Sequence, residues 1–349
     1  MKDISKIDKN FIVKTKIEKE DIKFFNPEEK PFELYGVVRE GEKLRRMPEY
    51  IAKTVSEGVY ALYANTAGGR IRFVTNSPYV AVSVKMGEVG KMSHFAFTGS
   101  IGLDVYADNI FCGSFVPPID ITDGYESIRE LEGEKEREIT INLPLYSEVK
   151  EIYIGLKDGS IIKSPAPYKN KKPVVFYGSS ITQGGCASRP GMSYQAILSR
   201  MLNYDYINLG FSGSAKGEDE IVDYIKSLEM SMFVMDYDHN APTLEHLKLT
   251  HEKMFKEIRK YNPKLPIIIM PRPKYILSEM EQERYEIIKT TYNNAIASGD
   301  KNVYFIDNKQ LTKLCQYDGT VDTCHPTDLG FLSMAQGIYD VIKDIDIDK

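Results

Sequence analysis

Residues 174–185, VVFYGSSITQGG, decide how this chain is read. A run of β-branched and aromatic residues reaches Gly178 and then stops on two serines and a threonine. Such a run, bounded by small residues, is a buried strand; the serines after it form either an ordinary strand-to-helix turn or a turn that displays one hydroxyl for chemistry. The neighbouring segments repeat the strand. DYINLG, MFVMDYD, PIIIMP and VYFID alternate with the helical patterns YQAILSRMLN, DEIVDYIKSLE, LEHLKLTHEKMFKEIRKY and EMEQERYEIIKTTYNNAIAS. In the third of these helices Leu247, Thr250, Met254, Ile258 and Tyr261 fall on one face. A last helix begins near Asp328, capped by Thr327 or Asp328. Near-continuous apolar strands alternating with helices predict a parallel sheet covered on both sides, with its site at the carboxyl ends of the strands. Gly178–Thr182 lies at such an end.

Upstream the period changes. GVYALYANT, GGRIRFVTNS, YVAVSVKMG, GLDVYAD, REITINLPLY and VKEIYIGLKDG are short, often alternating, and separated by Gly, Asn, Asp, Pro and Ser. That is the pattern of an antiparallel sandwich. RIRFVT places Ile71 and Phe73 on one face and Arg70 and Arg72 on the other, as a half-buried strand does. A helix is expected within MPEYIAKTVSEGV. The polar, proline-bearing KSPAPYKNKKP, 163–173, serves as linker. The expectation is therefore a two-domain chain: an antiparallel β-sandwich over 1–165 and an α/β/α domain with a parallel sheet over 173–349. A length of 349 residues suits two cores.

Composition narrows the function. With 42% apolar and 27% charged residues and a net charge of −5, the chain offers no basic footprint for nucleic acid. MKDISKIDKNFIVKTKIEKEDIKFF contains no uninterrupted apolar stretch, and no later run approaches a membrane span, so a cytoplasmic protein with no membrane partner is expected. Cys112, Cys186, Cys315 and Cys324 are scattered, without a CxxC pair, and fit free thiols. Neither that spacing nor an HExxH supports a zinc site, and GSSITQGG lacks the lysine of a phosphate-binding loop. No metal and no cofactor is expected.

Candidate chemistry gathers at the strand ends. A serine hydroxyl needs a base to take its proton, and the base needs a carboxylate to fix its tautomer. DGTVDTCHPTDLG supplies Asp322 and His325 three positions apart, a span over which a turn brings an Asp side chain back to the Nδ1 of its own histidine. Donors for an oxyanion are offered by Gly213 in INLGFSGSAKGE and by Asn240 in MFVMDYDHNAP. Each signal has an ordinary counterpart: a Ser-Ser turn, a chance DxxH, a glycine turn, a loop Asn. The order Ser, Asp, His within one doubly wound domain favours catalysis. Lesser candidates are Ser212, Cys186 and Cys324 as nucleophiles. His239, His246, His251 and His94 fit solvated or structural roles, with His239 near enough to Asn240 to meet a substrate.

The sequence resembles the SGNH or GDSL esterases, in particular the branch whose nucleophile motif reads GTSIT or GSSIT. The resemblance spans 174 to about 345, continues through TQGGCASRPGMSYQAILSR, and includes GLDVY, 102–106, which looks like the GxDLY signature of the sandwich preceding that catalytic domain. It implies a flavodoxin-like catalytic fold. It also implies Ser180 as nucleophile, His325 as general base and then acid, and Asp322 as the orienting carboxylate. The N–H groups of Ser180 and Gly213 and the side chain of Asn240 are implied as oxyanion donors. Two departures stand out. Ser179 replaces the commonest Asp, and DYDHN replaces GxND, so that Asp238 aligns with the Asn if no residue is inserted. Asn240 is preferred, because a carboxylate would repel a developing oxyanion. The implied activity is hydrolysis of small acyl esters, above all acetyl esters on carbohydrate. The rivals are a carbohydrate-binding protein with a degenerate hydrolase domain and an acyltransferase using the same triad. Oligomeric state is left open.

Overall fold

The computed structural model describes residues 4–347. Two antiparallel sheets and a two-stranded ribbon, Val38–Glu40 with Lys43–Arg45, fill the amino-terminal region. One is four-stranded and includes the long strands Tyr79–Val89 and Ser147–Lys157; the other is six-stranded around Arg70–Thr75 and Arg137–Asn142. Their facing side chains, among them Ile71, Phe73, Val82, Val105, Ile139 and Ile154, form one buried core, the sandwich that alternation predicts. The outer face of Arg70–Thr75 is not open to water. Arg70 and Arg72 are buried; Arg70 pairs with Asp205 and lies over the Tyr206 ring, while Arg72 pairs with Glu138 and lies over Tyr168. The half-buried strand expected there is buried on both sides, because the 163–173 segment and the start of the parallel strand Tyr206–Gly210 cover it.

From Val174 onward five parallel strands lie in the order 2-1-3-4-5, the flavodoxin-like arrangement. Tyr194–Leu202 and Asp328–Ile342 pack on one face of this sheet. Asp219–Ser227, Leu244–Tyr261 and Glu279–Ala297 pack on the other. In Leu244–Tyr261 the core face is Leu247, His251, Met254, Phe255 and Ile258, whereas Tyr261, expected on that face, is exposed at the helix end. Thr327 is the N-cap of the last helix without a side-chain capping hydrogen bond, and Asp328 accepts from Ser188 N.

One strand expectation fails. GVYALYANT forms the helix Glu57–Leu62 rather than a strand, and the helix expected just before it is Glu49–Val55, broken at Ser56. Ser56 Oγ accepts the N–H of Val59 and restarts the helix, and Ala52, Val55, Val59 and Tyr63 are buried against the parallel sheet's helices. Tertiary burial of an apolar face outweighs the strand propensity of Val and Tyr. Arg46, just upstream, donates to the carbonyls of Asn208 and Gly210 at the end of a parallel strand. The amino-terminal region thus reaches the sheet edge where the chemistry lies. Among the described residues no helix is long and apolar enough to cross a membrane.

Candidate active site

The strand Val174–Gly178 is flanked on both sides and ends where the strand order reverses, the place where a crevice opens in such sheets. Glycine is required at its last position: a Cβ on Gly178 would lie 2.2 Å from Thr182 Oγ1 and 2.3 Å from the Asp236 carbonyl oxygen. The chain then turns directly into Ser180–Gln183, with Ser179 as N-cap, its Oγ accepting from Ile181 N at 3.2 Å. Ser179, standing where a carboxylate is commoner, therefore caps this turn. The Ser180 side chain is left half-buried at the surface of the sheet edge. Its carbonyl accepts from the N–H groups of Gly184 and Gly185 and from the Tyr146 hydroxyl at 3.1 Å.

Ser180 Oγ lies 3.0 Å from His325 Nε2. His325 Nδ1 is 2.7 Å from Asp322 Oδ2, while Asp322 Oδ1 accepts the N–H of Cys324 at 3.0 Å and of His325 at 2.7 Å. The three residues therefore form one continuous hydrogen-bonded chain. Partial burial raises the Asp322 pKa, but the hydrogen bonds from the His325 N–H and ring and the Cys324 N–H outweigh it and hold the carboxyl down at about 2. The turn is closed by Val321 N–H on the His325 carbonyl and Thr327 N–H on that of Gly319, and Cys186 N–H donates to Pro326 O at 3.1 Å, joining the two turns.

Candidate donors follow the two strands that flank Val174–Gly178. Gly213 is exposed at φ +67°, and its N–H has no hydrogen-bond partner among the described residues. Its loop is held by Ser212 N–H, which donates to Gln183 Oε1 at 3.0 Å. Gln183 Nε2 in turn donates to Asn65 and to the Leu145 carbonyl. Asn240 Oδ1 accepts from Ala215 N at 3.3 Å, which leaves the Nδ2 donor for another partner. Asp238, the alternative, is buried and clasped by Arg272 through both carboxylate oxygens, with Arg284 nearby. Burial pushes its pKa up, yet the Arg272 contacts prevail and hold it below the usual carboxylate range.

The other candidates separate by environment. Burial pushes the Cys186 thiol up to about 11 and that of Cys324 also upward, so neither is disposed to be a thiolate nucleophile. His246 Nε2 sits 2.7 Å from the Lys216 carbonyl, and His251 Nδ1 sits 2.7 Å from Thr291 Oγ1; both are structural. Burial, then Arg272, pull the half-buried His239 down to about 4, leaving a neutral ring next to Asn240. Exposed His94 does reach the site: its ring centroid lies 5.8 Å from that of His325.

Several residues that hold the site are not singled out by the sequence. Asp236, at the end of the third parallel strand, accepts from Thr182 Oγ1 at 2.7 Å and Tyr194 Oη at 3.1 Å beneath the nucleophile turn, and burial lifts its carboxyl to about 7. A lone carboxylate closing the apolar run MFVMD was the signal. Asp104 of GLDVY is buried and accepts from Asn142 Nδ2 and from Gly191 N at 2.8 Å, fastening the sandwich to the loop after the nucleophile. Nothing in the spacing marks Tyr146, Gln183 or Asn65.

Residues 171–343 match the GDSL-like lipase/acylhydrolase family, and residues 22–162 match GxDLY, the N-terminus of SGNH-hydrolase-type esterases. Among solved structures, a Bacteroides ovatus protein assigned to the GDSL-like lipases is 31% identical, with a TM-score of 0.83 over 92% of this chain and 97% of its own. A salicylyl-acyltransferase from a tetracycline biosynthetic pathway, 17% identical, gives a TM-score of 0.74 over 93% of this chain and 98% of its own. An acetyl xylan esterase from the rumen bacterium Butyrivibrio proteoclasticus, 13% identical, gives 0.58 over 93% and 98%. No curated protein matches.

Proposed function

The chain belongs to the GDSL-like lipase/acylhydrolase family, and from that premise we propose that it is a serine esterase releasing small acyl groups, above all acetyl, from carbohydrate esters. The observation that carries this reading is the unbroken chain Ser180 Oγ–His325–Asp322 at the strand ends. Ser180 Oγ attacks the ester carbonyl while His325 Nε2 takes its proton, and the imidazolium formed is stabilised by Asp322. The developing oxyanion meets the N–H groups of Ser180 and Gly213 and the Nδ2 of Asn240. His325 then returns the proton to the departing alcohol and deprotonates the water that releases the acyl group from Ser180.

Polar side chains stand about the triad: His94 beside His325, and His239 and Asn240 beyond a strand that flanks Val174–Gly178. They suit a hydroxylated alcohol better than a long acyl chain. The choice of carbohydrate also leans on the family and on the acetyl xylan esterase that shares the fold. Hydrolysis is favoured over acyl transfer because Asp322 and His325 keep 38% and 25% of their side chains exposed, so water reaches the base. Rates on acetylated oligosaccharides and on long-chain aryl esters test the substrate class. A preference for the long chains overturns it. Product analysis with an added alcohol separates hydrolase from transferase, and a phosphonate that fails to label Ser180 in folded protein leaves the carbohydrate-binder reading instead.

A further inference from the structure

His94 takes no part in acyl transfer from Ser180, yet it comes to the triad from the other sheet system. Its turn is anchored on either side. Phe95 is buried edge-on against Tyr146, with ring centroids 5.3 Å apart, and Thr98 Oγ1 donates to the Ser188 carbonyl in the loop after the nucleophile. The backbone is thereby fixed while the His94 side chain stays exposed. One ligand atom each from His94, Asp322 and His325 lie within 4.8 Å of one another. Ligand atoms on a tetrahedral zinc, at metal distances of about 2.0–2.2 Å, stand about 3.3 Å apart. Rotation brings the exposed His94 imidazole towards the pair, while Asp322 Oδ2 and His325 Nδ1, 2.7 Å apart, must part as the ion replaces the proton between them.

We infer that His94, Asp322 and His325 form a zinc-binding site that switches the active site off. The donor chemistry selects the ion: two imidazoles and a carboxylate suit zinc and its neighbours, whereas magnesium and calcium prefer oxygen donors throughout. A water completes the coordination. The inhibitory consequence rests on the esterase reading and comes from the electrons available on His325. A neutral imidazole has a single ring lone pair. Asp322 faces Nδ1, 2.7 Å away, so the zinc replaces the Nδ1 proton there and takes the pair of the tautomer that carries its proton on Nε2. In that tautomer His325 cannot accept the proton of Ser180 while the ion is bound. Removal of the ion by a chelator restores the base, so the device is reversible and reads the zinc level around the protein.

The test uses the full chain and zinc chloride. Calorimetric titration should show one zinc equivalent that magnesium does not replace. Binding should weaken in His94→Ala and in His94→Gln, and in His325→Ala, by at least the roughly 10–100-fold that even an outer-shell change costs a metal site. His94→Ala should keep the wild-type circular dichroism and thermal midpoint, since the side chain is exposed. Zinc should slow phosphonate labelling of Ser180 in wild type, a chelator should reverse this, and His94→Ala should label at the same rate with or without zinc. Wild-type zinc affinity in both His94 variants overturns the site. Binding that depends on His94 but leaves labelling unchanged overturns the switch. If Ser180 never labels, with or without zinc, it is the esterase reading that falls, and the calorimetry still decides whether the three residues bind zinc.

Discussion

The turn that carries Ser180 and the turn that carries His325 are held in opposite ways. Residues 176–187 are almost wholly buried, and their hydrogen bonds run to distant chain: Tyr146 to the Ser180 carbonyl, Gln183 to Asn65 and Leu145, Thr182 to Asp236. Residues 318–326 are exposed or half-buried apart from Gly319 and Pro326, and they hold themselves, through Asp322 on two adjacent N–H groups and Val321 on the His325 carbonyl. A scaffold places the nucleophile, and a local loop places the base. Substitutions in the first turn should therefore disturb folding and rate together, while those in the second should act on rate alone.

The largest effects ignore this difference. Ser180→Ala and His325→Ala should each lower kcat on an acetyl ester by about a millionfold, and the double variant by no more, because the two act as one unit. A double variant far slower than either single one would mean that the residues act separately. Asp322→Asn comes next, with a loss of about ten-thousandfold, since an amide facing Nδ1 favours the wrong tautomer. Its thermal midpoint at neutral pH should fall only slightly, since the Asp322 side chain is 38% exposed and its contacts are screened. The carboxyl is depressed to about 2, so whatever Asp322 adds to stability is complete above the ordinary carboxylate pKa of about 3.9 and is lost as pH falls through about 2. Acid titration of wild type against Asp322→Asn reads that window.

Asn240 and Asp238 sharpen the contrast within a single loop. Asn240→Ala should cost about a hundred- to a thousandfold in kcat with the fold intact. Asp238→Ala takes one of two carboxylates from half-buried Arg272, which keeps Glu281, and should cost less than the about 3–5 kcal/mol of a buried pair broken outright, seen as a fall in the denaturation midpoint. If the kinetic loss falls on Asp238 and Asn240→Ala is silent, the donor has been misassigned.

The same contrast explains which contacts are legible in the sequence. Asp322 and His325 are legible because their contact is local, three positions closed by one turn; the alternating strands and helices are legible because burial imposes a period. Gly213 and Asn240 stand out because strand ends in a doubly wound sheet are few. Illegible are the contacts that cross the chain: Tyr146 on Ser180, Gln183 on Asn65, His94 beside His325. No spacing encodes them, only the docking of the sandwich on the sheet edge. GVYALYANT misleads for the same reason, as its Val and Tyr favour a strand until the sheet's helices bury one face of it as a helix.

Tyr146→Phe gives the smallest effect and the finest test of the scaffolded turn. The hydroxyl is removed, but the Ser180 carbonyl keeps the N–H groups of Gly184 and Gly185, so no buried acceptor is left without a partner. The cost should then be that of one net hydrogen bond, about 0.5–1.5 kcal/mol, and the ring should still pack on Phe95. Because the helical turn beyond Ser180 is pinned at Gln183 by two further bonds, Ser180 Oγ should stay within reach of His325, and kcat should fall by less than about tenfold, the rate equivalent of that energy. Gln183→Ala removes those bonds and the one holding Ser212, and should cost more in both rate and midpoint. Measuring both variants decides whether the nucleophile is held by a shared network or by a single hydroxyl: a Tyr146→Phe loss as large as that of Gln183→Ala means the hydroxyl alone.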